Sequence, residues 1–209
     1  SFAIRESISG YYVNDLGQLQ NSIFEGNYTT FGGDNGILVT GLFANALYTF
    51  EVQALNNDNI ATAFSSSASK YTKTALITTP VITTVNDISQ RVKISTAGNP
   101  PSTQYRIREV GLNRYVPKGG GNLTTAVVWG TYTEFGGSNG VLANGLTANT
   151  SYTYEITVRN GDLILGNTVL SEALATYSGR PDSLITTTIS TRGINVRLAP
   201  KYSSVAERF

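Results

Sequence analysis

Two glycine corners are the first residues of this chain with chemical promise. FGGDNG occupies residues 31–36, and FGGSNG occupies residues 135–140, 104 positions later. Calcium asks for roughly six to eight oxygens, usually with several carboxylates. Each corner holds at most one, and Ser138 replaces Asp34 in the second copy. A phosphate cradle needs a helix N-terminus after its glycines and usually a lysine. ILVTGL and VLANGL follow instead, both short and strand-like, and KGGG at residues 118–121 is also flanked by strand patterns. What remains is a corner whose glycines supply positive φ between strands.

Other candidates are as sparse. The chain has no His, Cys or Met, which removes Ser–His and Cys–His catalysis, thiolate zinc and a disulfide framework. Glu6 and Glu109 stand beside arginines on matching strands and read as salt-bridging surface residues rather than a catalytic pair. The expectation is no enzyme, with no catalytic, cofactor or metal residues. Tyr11, Tyr12, Trp129, Tyr132 and Phe135 could stack on a glycan if exposed, although aromatics are equally expected on half-buried strands. Sequons at Asn27, Asn122 and Asn149 would carry glycans only in a source that glycosylates secreted proteins. No RGD occurs.

Composition narrows the class. Charged residues are only 14% of the chain, well below the usual ~25%, and the net charge of +1 advertises no nucleic-acid partner. No apolar run reaches the ~20 residues of a membrane helix. A chain without Met is expected to follow a leader or a longer precursor.

The elements that must position these residues repeat. Residues 27–58 align with residues 131–162 without a gap; FAIRE at 2–6 pairs with YRIRE at 105–109, and ALITTPVITT at 75–84 resembles SLITTTIST at 183–191. The unit is about 103–104 residues, the size of a small domain. Tyr152, Tyr154, Ile156 and Val158 alternate with polar residues, as do Tyr48, Phe50, Val52 and Ala54. Such period-two patterns, with turn signals every ~8–15 residues, predict an all-β chain of antiparallel sandwiches.

GLTANTSYTYEITVRN at 145–160 and GLFANALYTFEVQALN at 41–56 resemble the fibronectin type III signature: a Leu, a short turn, a Tyr, then an alternating strand ending in Asn. The resemblance implies tandem type III-like (Ig-like) sandwiches, with Tyr48 and Tyr152 as tyrosine corners bonded back to the turn backbone. Phe2 and Tyr105 would hold the aromatic position early in strand C. The family's strand-B Trp is missing, since the chain offers VKIS and VRLA there.

Phase is the most telling feature. Residues 1–74 match strands C to G of a first domain, 75–180 a complete domain, and 181–209 strands A and B of a further one. Phe209 falls at the repeat position of Phe2. The strands missing at the start thus reappear at the end. The sharper expectation is an extracellular filament or surface-adhesin subunit that assembles head-to-tail, by strand complementation between copies or by continuation into a neighbouring repeat. The joining residues are then Ile185, Ile189, Ile194, Val196, Leu198 and Phe209 against Phe2 and Ile4. Competing expectations are an arbitrary cut from a longer array, self-completion within one chain, and a tandem binding module for a glycan or cell-surface ligand.

Overall fold

The structure is a computed structural model that describes residues 1–58 and 60–199. Among them the regular structure is β-strand, apart from two single 3-10 turns at Gly33–Asn35 and Gly137–Asn139. The chain divides into two compact units: one of Ser1–Leu76 with Ala97–Thr103 and Arg159–Gly166, the other of the remaining segments.

The first unit holds β1 (Phe2–Glu6), β2 (Tyr12–Val13), β3 (Leu19–Gln20), β4 (Leu47–Ala54) and β5 (Ala68–Tyr71). They form one sheet in the order β3-β2-β1-β4-β5. β1 and β4 are antiparallel, with Phe2 opposite Ala54, Ile4 opposite Val52 and Glu6 opposite Phe50. Since side chains alternate across a strand, Phe2, Ile4, Phe50 and Val52 share one face of this sheet.

The second unit holds β6 (Val81–Asn86), β7 (Ser89–Lys93), β8 (Gln104–Glu109), β9 (Arg114–Tyr115), β10 (Gly121–Asn122), β11 (Gly130–Thr131), β12 (Val141–Asn144), β13 (Ser151–Tyr152), β14 (Tyr154–Arg159), β15 (Leu165–Leu170) and β16 (Leu174–Ala175), except that Arg159 of β14 and Leu165 and Gly166 of β15 fall in the first unit. One sheet runs β10-β12-β7-β6 and another β11-β8-β14-β15, with β9 on β8; β13 pairs with β16. Val92, Val141 and Ala143 from the first of these sheets join Tyr105, Ile107, Tyr154, Ile156 and Val158 from the second in one buried cluster. Two sheets closed over a shared apolar core make a β-sandwich. The alternation along β14 explains most of the division: Tyr154, Ile156 and Val158 are buried, Glu155 and Arg159 stay partly exposed, and Thr157 on their face is covered at 2% exposure.

The glycine corners are turns built on backbone conformation. Gly32 and Gly136 have φ of 81° and 79°, and each precedes its 3-10 turn. A Cβ on Gly32 would lie 2.1 Å from the Gly36 carbonyl oxygen, and one on Gly136 would lie 2.2 Å from that of Gly140. Only glycine fits such a site. The Asp34 carboxylate accepts a hydrogen bond from the Tyr28 hydroxyl.

Candidate assembly interface

Beyond residue 180 the chain forms a hairpin of β17 (Ser183–Ser190) and β18 (Gly193–Ala199), whose sheet, among the described residues, contains these two strands alone. Its pairing copies that of β6 and β7. In β6–β7, Val81 faces Lys93, Ile82 faces Val92 and Thr84 faces Gln90, with an irregularity between Thr84 and Asn86. In β17–β18, Ile185 faces Arg197, Thr186 faces Val196 and Thr188 faces Ile194, with an irregularity between Thr188 and Ser190. Every pair is displaced by the same 104 positions, bulge included.

Burial separates the two hairpins. In β6–β7 the face bearing Ile82 and Val92 closes the core; Val92 is 0% exposed and Ile94, just beyond the strand, 4%. Their counterparts Val196 and Leu198 are 59% and 45% exposed. Directly opposed residues of an antiparallel pair lie on one face, so Ile194, Val196 and Leu198 form a single apolar stripe. Leu184, opposite Leu198, completes it and went unnoticed in the sequence, where the Thr run behind it hid the alternation. Ile185, opposite Arg197, lies on the reverse face, and Ile189 sits at the irregularity. The six apolar tail positions therefore do not act as one group. Phe209 lies outside the described residues.

The corresponding face of the first unit is also exposed. Phe2, Ile4, Phe50 and Val52 correspond to Tyr105, Ile107, Tyr154 and Ile156, which are at most 1% exposed. Phe2 is 40% and Val52 37% exposed, and Ile4 and Phe50 are half-buried. Phe2, Ile4, Tyr28, Phe31 and Val52 line an open cavity of about 250 Å³. Residues 37–40, the counterpart of β12, are held to Gly17 by the Thr40 N–H donating to its carbonyl at 2.8 Å. Among the described residues no strand pairs with their other edge.

The two sequence-matched glutamates lie inside the fold. Glu6 and Glu109 are each 2% exposed, not surface partners of the arginines as their neighbours suggested. Glu6 accepts from the N–H groups of Ile8, Ser9 and Thr49 and from the Ser9 hydroxyl, and Glu109 from those of Gly111 and Leu112. Burial raises the Glu6 pKa, and these hydrogen bonds more than offset it, leaving the carboxyl below its ordinary value. The arginines pair elsewhere: Arg5 with Glu51, and Arg108 with Glu155 at 2.7 Å. The Phe43 N–H donates to the Tyr48 hydroxyl at 3.0 Å and the Thr147 N–H to the Tyr152 hydroxyl at 2.8 Å. Asn27, Asn122 and Asn149 are exposed. Of the aromatics, Phe135 is a core residue at 1% exposure, Tyr132 packs against that core, and Trp129 lies beneath the Arg106 guanidinium at 5.2 Å. No helix among the described residues is long and apolar enough to cross a membrane.

No family model matches the chain, and no curated protein matches it. Among solved structures it is similar to the crystal structure of chicken CNTN1 FN1-FN3 domains, at 14% identity and a TM-score of 0.34. That match covers 66% of this chain and 44% of the other, so the chain spans less than half of that structure's length.

Proposed function

We propose that this is a structural, self-associating protein of an extracellular filament or surface-adhesin array, built from type III-like sandwiches that are joined through their A–B hairpins. Its domains are 1–74, lacking A and B; 75–180, complete; and 181–209, the A–B strands of a further sandwich. The joint is made by strand complementation between copies or by continuation into the next repeat. The observation that carries this reading is the β17–β18 hairpin, which repeats the register and bulge of β6–β7 but exposes the face that β6–β7 buries. Ile194, Val196, Leu198 and Leu184 are 64%, 59%, 45% and 62% exposed, so covering what remains of them would contribute about 3–7 kcal/mol, a little over half of the full ~1.5–3 kcal/mol per side chain. Association costs an estimated ~4–15 kcal/mol, so this stripe offsets part of that cost and the backbone pairing and packing of the rest of the joint supply the remainder. A head-to-tail contact that does not close on itself yields a filament.

Sizing and negative-stain imaging of the purified chain test it. Particle mass that grows with concentration, and is lost on deleting residues 183–209, is the expected result. A monomer at every concentration, unchanged by the deletion, refutes it.

A further inference from the structure

Within the second unit, β7 performs three tasks for the sandwich, and each has an unfilled counterpart in the first. It pairs antiparallel with β12, placing Val92 opposite Val141, Arg91 opposite Leu142 and Gln90 opposite Ala143. It passes against the last glycine of the corner: a Cβ on Gly140 would lie 2.7 Å from the Val92 carbonyl oxygen and 3.1 Å from the Lys93 Cα. It also buries Gln90, whose carboxamide oxygen accepts a hydrogen bond from the Tyr154 hydroxyl at 3.1 Å. In the first unit the edge of residues 37–40 away from Gly17 is unpaired among the described residues, and Gly36 has nothing within 4 Å of the corresponding Cβ position.

The third counterpart is chemical. Where the second unit has Tyr154, the first has Phe50, which carries no hydroxyl; where β7 has Gln90, β18 has Ile194. The β6–β7 hairpin placed on Phe50 would bury a carboxamide without its phenol partner. The tail hairpin placed on Tyr154 would bury a hydroxyl against Ile194. Each mismatch strands a buried polar group. Phe50 and Ile194 suit each other, as Tyr154 and Gln90 do.

Within one chain both the open face and the hairpin stripe stay uncovered, Phe2 and Val52 at 40% and 37% exposure and Val196 and Leu198 at 59% and 45%; from this and the complementarity we infer that the occupant of the first unit's open face is the tail hairpin of a second copy of this chain. β18 lies antiparallel to residues 37–40, with Ile37 opposite Val196, Leu38 opposite Asn195 and Val39 opposite Ile194. Its backbone passes over Gly36, Val196 and Leu198 cover the cavity lined by Phe2, Ile4 and Val52, and Ile194 meets Phe50. The Phe50–Ile194 pair selects this hairpin over β6–β7. The inference rests on the self-associating reading above and adds to it a register and a specificity pair.

The chain has no cysteine, so single-cysteine variants report the register directly. Full-length Leu38→Cys and Asn195→Cys chains, one carrying a size tag, are mixed, oxidised and resolved without reductant. Arg197→Cys serves as the out-of-register control, because diagonal neighbours lie about 7–8 Å apart and their Cβ atoms exceed the ~3.5–4.5 Å that a disulfide spans. The aligned pair is expected to give roughly tenfold more mixed dimer than the control. Ile194→Gln is expected to weaken self-association about ten- to hundredfold, and Phe50→Tyr in the same chain to restore most of it. If the unaltered chain associates but the control cross-links as well as the aligned pair, or Phe50→Tyr fails to rescue, the inference falls and the assembly reading stands. A double-cysteine chain that cross-links only within itself, at monomer size, overturns the second-copy occupant. No association of the unaltered chain overturns both.

Discussion

Val52 and Ile156 occupy the same position of the repeat, and truncating each to alanine measures whether the face they share is covered. Ile156 is 1% exposed inside the two-sheet core. Ile156→Ala removes buried carbons and leaves a cavity that close-packed neighbours fill only partly, a loss of about 2–5 kcal/mol. With a denaturant slope of ~1–3 kcal/mol/M for a small domain in urea, the midpoint should fall by about 2 M. Trp129, the only tryptophan, lies in the same unit and reports that transition by fluorescence. Val52 is 37% exposed and borders an open cavity, so Val52→Ala in dilute chain should cost less than about 1 kcal/mol. At concentrations where copies associate, the cost should rise to about 2–3 kcal/mol as the side chain becomes buried. Amide exchange of Phe2–Glu6 and Leu47–Ala54, followed at both concentrations, reads this difference. If Val52→Ala costs as much as Ile156→Ala in dilute chain, the first unit's face is already closed and the reasoning fails.

Further expectations rest on single contacts. Gly136→Ala forces a Cβ to within 2.2 Å of the Gly140 carbonyl oxygen at φ of 79°, and should cost at least about 1–3 kcal/mol by Trp129-monitored unfolding; a neutral result would mean the corner rearranges freely. Tyr152→Phe removes the acceptor of the part-buried Thr147 N–H and should cost about 1–2 kcal/mol. Tyr48→Phe, whose partner Phe43 is exposed, should cost less because water replaces the hydroxyl; equal costs would contradict this. Glu6 has a folded-state pKa below its ordinary 4.5, so its stabilisation is present above that value and is lost as pH falls through the folded pKa. The stability difference between the unaltered chain and Glu6→Gln should accordingly shrink below pH 4.5, and a difference that grows on acidification would refute the assignment.

Much of the molecule can be read from local pattern. The alternation along Tyr152–Val158 specifies a strand and which residues share a face. FGGDNG and FGGSNG specify corners, because a positive φ with no room for a Cβ admits only glycine. The Tyr48 and Tyr152 hydroxyls bond to nearby turn backbone, five residues away in sequence. Each of these depends on residues close together in the chain, where dihedral preference and side-chain period act directly.

What the sequence could not determine was whether a face is covered. Tyr48–Ala54 and Tyr152–Val158 carry the same pattern, yet one face is open and the other sealed, because sealing depends on β7, some sixty residues from β14 in sequence. Glu6 and Glu109 looked like surface charges beside their arginines, and only the fold turned them inward to accept backbone N–H groups. Phe135 looked available to a ligand and proved to be core. Ile185 and Val196 both looked like joining residues, but cross-strand register places them on opposite faces of the hairpin. Periodicity assigns side chains to faces, and the partner packed on a face, drawn from distant chain, decides which of them leave water.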